Sequence, residues 1–303
     1  MEQNFETCLY NVVDAAKVQK DEPMKKHTTF RIGGPADYFI MPSNEKELAE
    51  TIRVCREFSI PIYIVGNGSN LLVGDKGFRG AIIQLYKSMG TFQVEGNQIT
   101  AQAGCSLAQI ANAALDAALT GFEFAAGIPG TLGGAVVMNA GAYGGEMKDV
   151  LTSVRVMTEE GEIMELPAEE LGLGYRTSII QEKRYIVLGA VISLTEGKKE
   201  EIKAQMDDFR QKRVSKQPLE YPSAGSTFKR PEGYFAGKLI QDSGLKGFTV
   251  GGAQVSEKHS GFVINKGNAT AADVMELIRQ VTAKVKEDTG VTMEPEVKQI
   301  GEF

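Results

Sequence analysis

The sequence predicts an α+β chain built from three modest pieces, and three observations carry that expectation. Strand-length apolar runs alternate with stretches at helical spacing. One segment, TSVRVMTEEGEIMEL at 152–166, reads as a hairpin. Two glycine-rich segments interrupt the pattern, GNGSNLLV at 66–73 and GIPGTLGGAVVMNAGAYGGE at 127–146. At 303 residues the chain has room for two or three units and a sizeable core.

Taken in order, FRIGGPADYFIMP reads as a turn and a strand. Asn44, with Glu47 three residues on, caps a helix whose Leu48, Ile52 and Cys55 share one face. IPIYIVGNGSNLLV is an apolar strand entering a glycine-rich turn, and GAIIQL is another strand. These make a first piece, 1–88. In the second, QITAQAG alternates as a half-buried strand. SLAQIANAALDAALTG places Leu107, Ile110, Ala114 and Leu115 at helical spacing, with Gly121 expected as the C-terminal cap. After the glycine stretch and the hairpin, YIVLGAVISL is a buried strand, and the piece closes at 207. The charged helix KKEEIKAQMDDFRQKRVSK bridges to a third piece, 208–303. There QPLEYPSAGSTFKRPEGYFAG is expected as a loop. A helix near 236–242, strands at 250–255 and 261–265, a helix at 271–289 and a strand near 293–300 complete the chain.

Hydrophobic and charged contents of 42% and 24% are those of an ordinary soluble protein. A net charge of −6 provides no cationic field for nucleic acid or an anionic membrane. The basic clusters at 25–31 and 210–216 read as solvated faces or local anion contacts. The N-terminus lacks the pattern of a signal peptide, and no apolar run is long enough to span a membrane. Cys8, Cys55 and Cys105 are too few and too scattered for a disulfide framework. With His27 and His259 as the only histidines, no metal centre is expected. A soluble cytoplasmic protein is the expectation, with no obligate protein partner evident.

GNGSNLLV fails the dinucleotide test, because Leu71 stands where a third glycine belongs, and there is no GxxxxGK[ST]. Ser69 and Asn70 nevertheless suit a loop cradling phosphate oxygens with backbone N–H groups. The segment 127–146 holds seven glycines and no charge before Glu146. Ile128, Leu132, Val136, Val137 and Met138 make it too apolar for a linker, leaving Thr131, Asn139 and Tyr143 as its main polar side chains. A backbone so stripped suits close approach to a large neutral ligand surface carrying a diphosphate.

TTFRIGG, VGNGSNLLV, GIPGTLGGAVVMNAGAYGGE, GYRTS, YPSAGSTFKRP and MEPEVKQIG, in that order from about residue 25 to 300, closely resemble the family of UDP-N-acetylenolpyruvoylglucosamine reductases. The resemblance implies non-covalent FAD and a flavoprotein fold of the vanillyl-alcohol-oxidase (PCMH) type. Two FAD-binding subdomains, with a PCMH-type region at about 30–195, would precede a C-terminal α/β substrate-binding domain. FAD would meet Arg31, then Val65, Gly66, Asn67, Gly68, Ser69 and Asn70. In the second segment it would meet Gly127, Ile128, Pro129, Gly130, Gly133, Gly134, Asn139, Gly141 and Ala142. The implied reaction takes a hydride from NADPH through FAD to the vinyl carbon of UDP-N-acetylglucosamine enolpyruvate. That leaves an enolate to be stabilised and protonated.

Arg176 in GYRTS suits the enolate's carboxylate, since a guanidinium forks onto two oxygens; its bland alternative is an exposed cation. Ser226 in PSAGSTF otherwise reads as turn chemistry, and Glu296 in MEPEVKQIG as an edge-strand carboxylate. By resemblance Ser226 is the proton donor, with Arg176 and Glu296 supporting the intermediate. Glu296 helps there only if protonated or bridged. Tyr175, Arg213 and Lys229, with Lys216 and Arg230, are the expected substrate contacts. The third piece has no room for the inserted tyrosine loop of one branch of the family. Two rivals stay open. One is a related FAD oxidase or dehydrogenase acting on a sugar or alcohol; many of these tether flavin through histidine or cysteine, though neither His27 nor Cys105 sits in a convincing attachment motif. The other is a non-catalytic nucleotide-binding module.

Overall fold

The computed structural model describes residues 4–303, so the first three residues of the N-terminal segment lie outside it. Helix α1 (Phe5–Tyr10) is capped by Asn4, whose side chain accepts from the Thr7 N–H. Strands β1 (Val18–Pro23) and β2 (Pro35–Ile40) lead to α2 (Glu45–Glu57). In α2 the Asn44 side chain accepts from the Glu47 N–H, and Leu48, Ile52 and Cys55 are buried, as their spacing predicts. Then come β3 (Ile62–Val65), β4 (Leu71–Val73), β5 (Phe78–Gln84), β6 (Phe92–Glu95) and β7 (Gln98–Gln102). A capping box of Ser106 and Gln109 starts α3 (Leu107–Asp116). This helix stops well before Gly121, correcting the expected cap. Ala118 turns left-handed at φ 55° and the chain leaves as β8 (Leu119–Thr120).

The long glycine segment is not all loop. It forms α4 (Leu132–Val137) and a tiny hairpin of β9 (Gly141–Ala142) and β10 (Gly145–Glu146). Next are β11 (Leu151–Met157), β12 (Ile163–Pro167), α5 (Ile179–Lys183), β13 (Ile186–Ser193), β14 (Thr195–Glu196) and α6 (Lys199–Lys216). The segment expected as loop contains β15 (Ser223–Ser226), joined to its neighbour only at Ser223 and Ser226 with a bulge between. Such small polar residues carry no strand signal, which is why the sequence hides it. The chain ends with α7 (Ala236–Asp242), β16 (Thr249–Val250), β17 (Ala253–Val255), β18 (Phe262–Asn265), α8 (Ala271–Thr289) and β19 (Lys298–Ile300).

Two compact units result, and neither follows chain order. The first holds residues up to 19, 38–67 and 80–212; the second holds 20–37, 68–79 and 213–303. A four-stranded sheet has the order β1–β2–β5–β3, and three of these strands carry the chain from one unit into the other. The first unit is framed by an antiparallel sheet in the order β12–β11–β13–β7–β6. Ile99, Ala101, Val154, Val156, Ala190 and Ile192 are buried along it, in the alternation a one-sided sheet requires.

The second unit has the antiparallel sheet β15–β18–β17–β16, with α8 packed on β16, β17 and α7. Phe30, Ile32 and Leu72 enter its core beside Val263, Val274 and Val281. Strand β19 pairs in parallel with β4, setting Lys298, Gln299 and Ile300 opposite Leu71, Leu72 and Val73. Both oxygens of Asp75 accept from the Ala271 and Ala272 N–H groups, joining the Thr270–Asp273 capping box at the start of α8. A cap of this kind contributes about 1 kcal/mol.

Candidate functional site

In the first unit the two glycine segments are clasped. Asn67 Nδ2 donates to the Pro129 carbonyl at 2.7 Å, and a Cβ on Gly66 would collide with Thr131 Oγ1. Val65, at the end of β3, is buried. Gly127 and Pro129 are exposed, Ile128 is half-buried, and the Gly130 carbonyl accepts from the Leu107 N–H. The chain's own packing accounts for Gly133 and Gly141. A Cβ would stand 3.0 Å from Ala103 Cβ at the first, and 2.7 Å from the Gly145 carbonyl at the second.

Gly134 differs. It is exposed, and a Cβ there would meet nothing nearer than Thr131 Oγ1 at 3.8 Å. A helical glycine costs about 1 kcal/mol relative to alanine, yet nothing within the protein requires this one. A flat group lying on α4 supplies the missing reason, and the half-exposed Ala142 keeps the neighbouring hairpin equally low. The residues present therefore fit FAD.

Asn139 is buried with its amide fully engaged. Nδ2 donates to Glu146 Oε2 and the Gly174 carbonyl at 2.7 and 3.1 Å, and Oδ1 accepts from the Lys148 N–H at 2.9 Å. Its backbone N–H is also used, donating to the Val136 carbonyl at 3.1 Å, so its visible role is to brace the segment. Its reach to Gly174 ties the glycine segment to the Arg176 turn. There Gly174 and Thr177 exchange both backbone hydrogen bonds around Tyr175 and Arg176. Arg176 has φ 55°, at the turn position glycine favours, and its guanidinium lies 5.1 Å from the centroid of the exposed Tyr175 ring. Gln181 Nε2 donates to the Arg176 and Val137 carbonyls at 3.2 and 2.8 Å, and Ser178 Oγ also donates to Val137, at 2.7 Å. These two supports escape a sequence reading, since S-x-x-Q looks like a cap for α5.

In the second unit, Ser226 is exposed at the end of β15, just past the bulge at Gly225 (φ 77°). The Thr227 carbonyl accepts from the Glu296 N–H at 2.7 Å, and the Lys229 N–H donates to the Glu294 carbonyl at 2.9 Å. The segments bearing Ser226 and Glu296 therefore run side by side, and Glu296 is half-buried. Asn70 joins the same group: its Nδ2 donates to the Glu296 carbonyl at 3.2 Å and its carbonyl accepts from the Lys298 N–H at 3.0 Å. Gly68 leaves no room for a Cβ beside the His27 carbonyl, Ser69 is half-buried, and Arg31 stands exposed at φ 54°.

Lys229 pairs with Glu294 at 3.0 Å, and Arg230 sits 4.7 Å over the Phe235 ring. On α6, Arg213 is half-buried and Lys216 exposed. His27 is held 3.0 Å from Glu22, while Cys105 is a free thiol deep in the first unit's core, pushed up by burial and so a poor nucleophile. That environment does not favour a covalent flavin tether at Cys105. Among the described residues no cluster of His, Cys, Asp or Glu could hold a metal, and no helix is long and apolar enough to cross a membrane.

Residues 36–167 match the family model described as an FAD binding domain. A solved alkyldihydroxyacetonephosphate synthase, 16% identical, matches 64% of this chain and 41% of its own with a TM-score of 0.50, a likeness of fold alone. The class is thus a protein with an FAD-binding fold. Residues 217–300 match the C-terminal domain of UDP-N-acetylenolpyruvoylglucosamine reductase. The reductase of that name from Caldanaerobacter subterraneus subsp. tengcongensis is 56% identical over 294 residues, 97% of each chain. The crystal structure of the Thermus caldophilus reductase is 38% identical, with a TM-score of 0.81 over 93% of this chain and 98% of its own. The chain belongs to the UDP-N-acetylenolpyruvoylglucosamine reductase family.

Proposed function

We propose that this flavoenzyme reduces the enolpyruvyl ether of UDP-N-acetylglucosamine enolpyruvate to UDP-N-acetylmuramate with NADPH, in cytoplasmic synthesis of peptidoglycan precursors. The observation that carries this reading is the pairing of the Ser226 and Glu296 segments through the Glu296 N–H and the Thr227 carbonyl. A nucleotide-binding module has no use for a serine and a glutamate brought onto adjacent backbone segments in this way. Residues 65–70 and 127–142, with Arg31, would hold FAD, which when bound supplies the hydride relay from NADPH to the vinyl carbon.

Hydride addition there leaves negative charge on the adjacent carbon and its carboxylate. The Arg176 guanidinium would take that carboxylate on two oxygens, in a turn braced by Gln181. Ser226 Oγ–H would give its proton to the carbon, saturating the bond. Glu296 would support the intermediate from a backbone fixed at its N–H and carbonyl. Tyr175, Arg213 and Lys229 are proposed for substrate, and Lys229, paired with Glu294, would have to exchange a carboxylate for a phosphate. The domain roles belong to the same proposal: 1–88 and 89–207 for FAD, 208–303 for substrate. Residues 20–37 and 68–79, which include Arg31, Gly68, Ser69 and Asn70 proposed for FAD, fold with 213–303, so the compact unit is wider than the C-terminal stretch.

An anaerobic visible spectrum tests the reading. The flavin band is expected to bleach with NADPH and to return with the enolpyruvyl nucleotide sugar. Return only with oxygen or another acceptor would favour the oxidase instead.

A further inference from the structure

The loop joining β17 to β18 takes no part in the chemistry above, yet it is held more tightly than a connector needs. Ser256 Oγ accepts from the Lys258 and His259 N–H groups at 3.1 and 3.2 Å. The Ser256 N–H donates to the Phe262 carbonyl, and the Phe262 N–H to the His259 carbonyl, each at 2.9 Å. His259 Nδ1 then accepts from the Gly261 N–H at 3.1 Å. The imidazole stands edge-on to Phe262, centroids 5.0 Å apart, and fills the space beside Gly237 and Gly261. A Cβ on those glycines would fall 3.3 and 3.0 Å from Cε1. The residues so fixed are the partners of the serine segment. The Gly261 carbonyl accepts from the Thr227 N–H at 2.9 Å, and Phe262 is the register partner of Ser226.

We propose that His259 is a positioning residue for Ser226, a neutral acceptor that holds Gly261 and Phe262 where they fix the backbone of the serine. The inference rests on the reading of Ser226 as proton donor. Accepting from Gly261 requires an unprotonated Nδ1; a proton there would set two donors face to face. Burial keeps the imidazole below its usual range, against a smaller upward pull from a hydrogen bond with the backbone of His259 itself, and the charge of Lys216 adds to the lowering. The other charged groups around the loop are occupied. Lys258 Nζ lies 2.7 Å from the Val214 carbonyl and 3.6 Å from Glu220, while Lys238 on α7 pairs with Asp242 at 2.7 Å. Glu257 sits against Gly247, and Lys229 beside the serine strand pairs with Glu294. The support is therefore complete above the ordinary imidazole range and is lost as pH falls through the lowered one.

Stopped-flow reoxidation of the NADPH-reduced holoenzyme by the enolpyruvyl nucleotide sugar, from about pH 5 to 8, tests this in wild type, His259→Asn and His259→Leu. Asparagine Oδ1 can accept from Gly261 but does not titrate in this range. The wild-type rate is expected to fall on the acid side. His259→Asn should keep the neutral-pH rate and lose the acid limb. His259→Leu should be slower by about tenfold or more at every pH, with flavin reduction by NADPH unchanged. An acid limb persisting in His259→Asn, or wild-type reoxidation in His259→Leu, overturns the inference. If the leucine variant does not fold, the asparagine pH profile still decides. Ser226→Ala is the parallel control: if it spares reoxidation, the reading of Ser226 falls and this inference with it.

Discussion

Arg176 occupies a left-handed backbone conformation that costs a non-glycine residue about 1 kcal/mol or more. Such strain persists where the side chain is needed. Arg176→Gly is therefore expected to raise thermal stability by about 1 kcal/mol while kcat falls by roughly two orders of magnitude. Thermal melts and turnover measured on one preparation would show the two moving apart; loss of both together would make the residue structural. Gly134 gives the complementary case. Gly134→Leu improves helix propensity by about 0.8 kcal/mol and its Cβ makes only an ordinary contact with Thr131 Oγ1 at 3.8 Å, so the apoprotein should fold by circular dichroism yet purify without flavin. Normal flavin content in this variant would mean that nothing lies against that face of α4.

At the scale of elements, Gln181 and Asn139 join α4 to the turn after Gly174. Gln181→Leu leaves the Val137 and Arg176 carbonyls without this donor. A loss of about 1–3 kcal/mol is expected, with FAD retained and kcat lowered more than KM is raised. Melting curves, flavin content and steady-state kinetics check it. The same elements show what a sequence discloses. Helix α2 is legible because it has both a cap and an apolar stripe, and in the structure α8 has both as well. Strand β15 is silent because Ser223–Ser226 has nothing apolar to alternate. Helix α4 hides behind its glycines. The residue types of the candidate site are named by their motifs, but the pairing of Glu296 with Thr227 is not. It is one backbone hydrogen bond between distant segments, and backbone bonds leave no mark on side-chain choice.

For the molecule as a whole, the chain passes between its two units five times. Phe30, Ile32 and Leu72 consequently bury themselves in a core completed by residues beyond 224. A fragment of residues 1–207 would expose all three, each worth about 1.5–3 kcal/mol, against a total stability of about 5–15 kcal/mol. The fragment is expected to aggregate and to retain no flavin, judged by sedimentation and absorbance. A stable yellow fragment would show that the N-terminal region folds alone.

The parallel pairing of β4 with β19 also sets a clock on biosynthesis. Leu71 and Lys298 are neighbours across that pair, yet translation at about 5–20 residues per second separates their synthesis by roughly ten to fifty seconds. Throughout that interval Asn70 lacks both the Glu296 carbonyl and the Lys298 N–H that brace it. A ribosome stalled before β19 would hold a chain whose 66–73 loop is still unbraced, with leucines that the fold buries open to chaperones. Cofactor capture then waits on β19, and flavin added to arrested nascent chains should bind only once that strand has emerged.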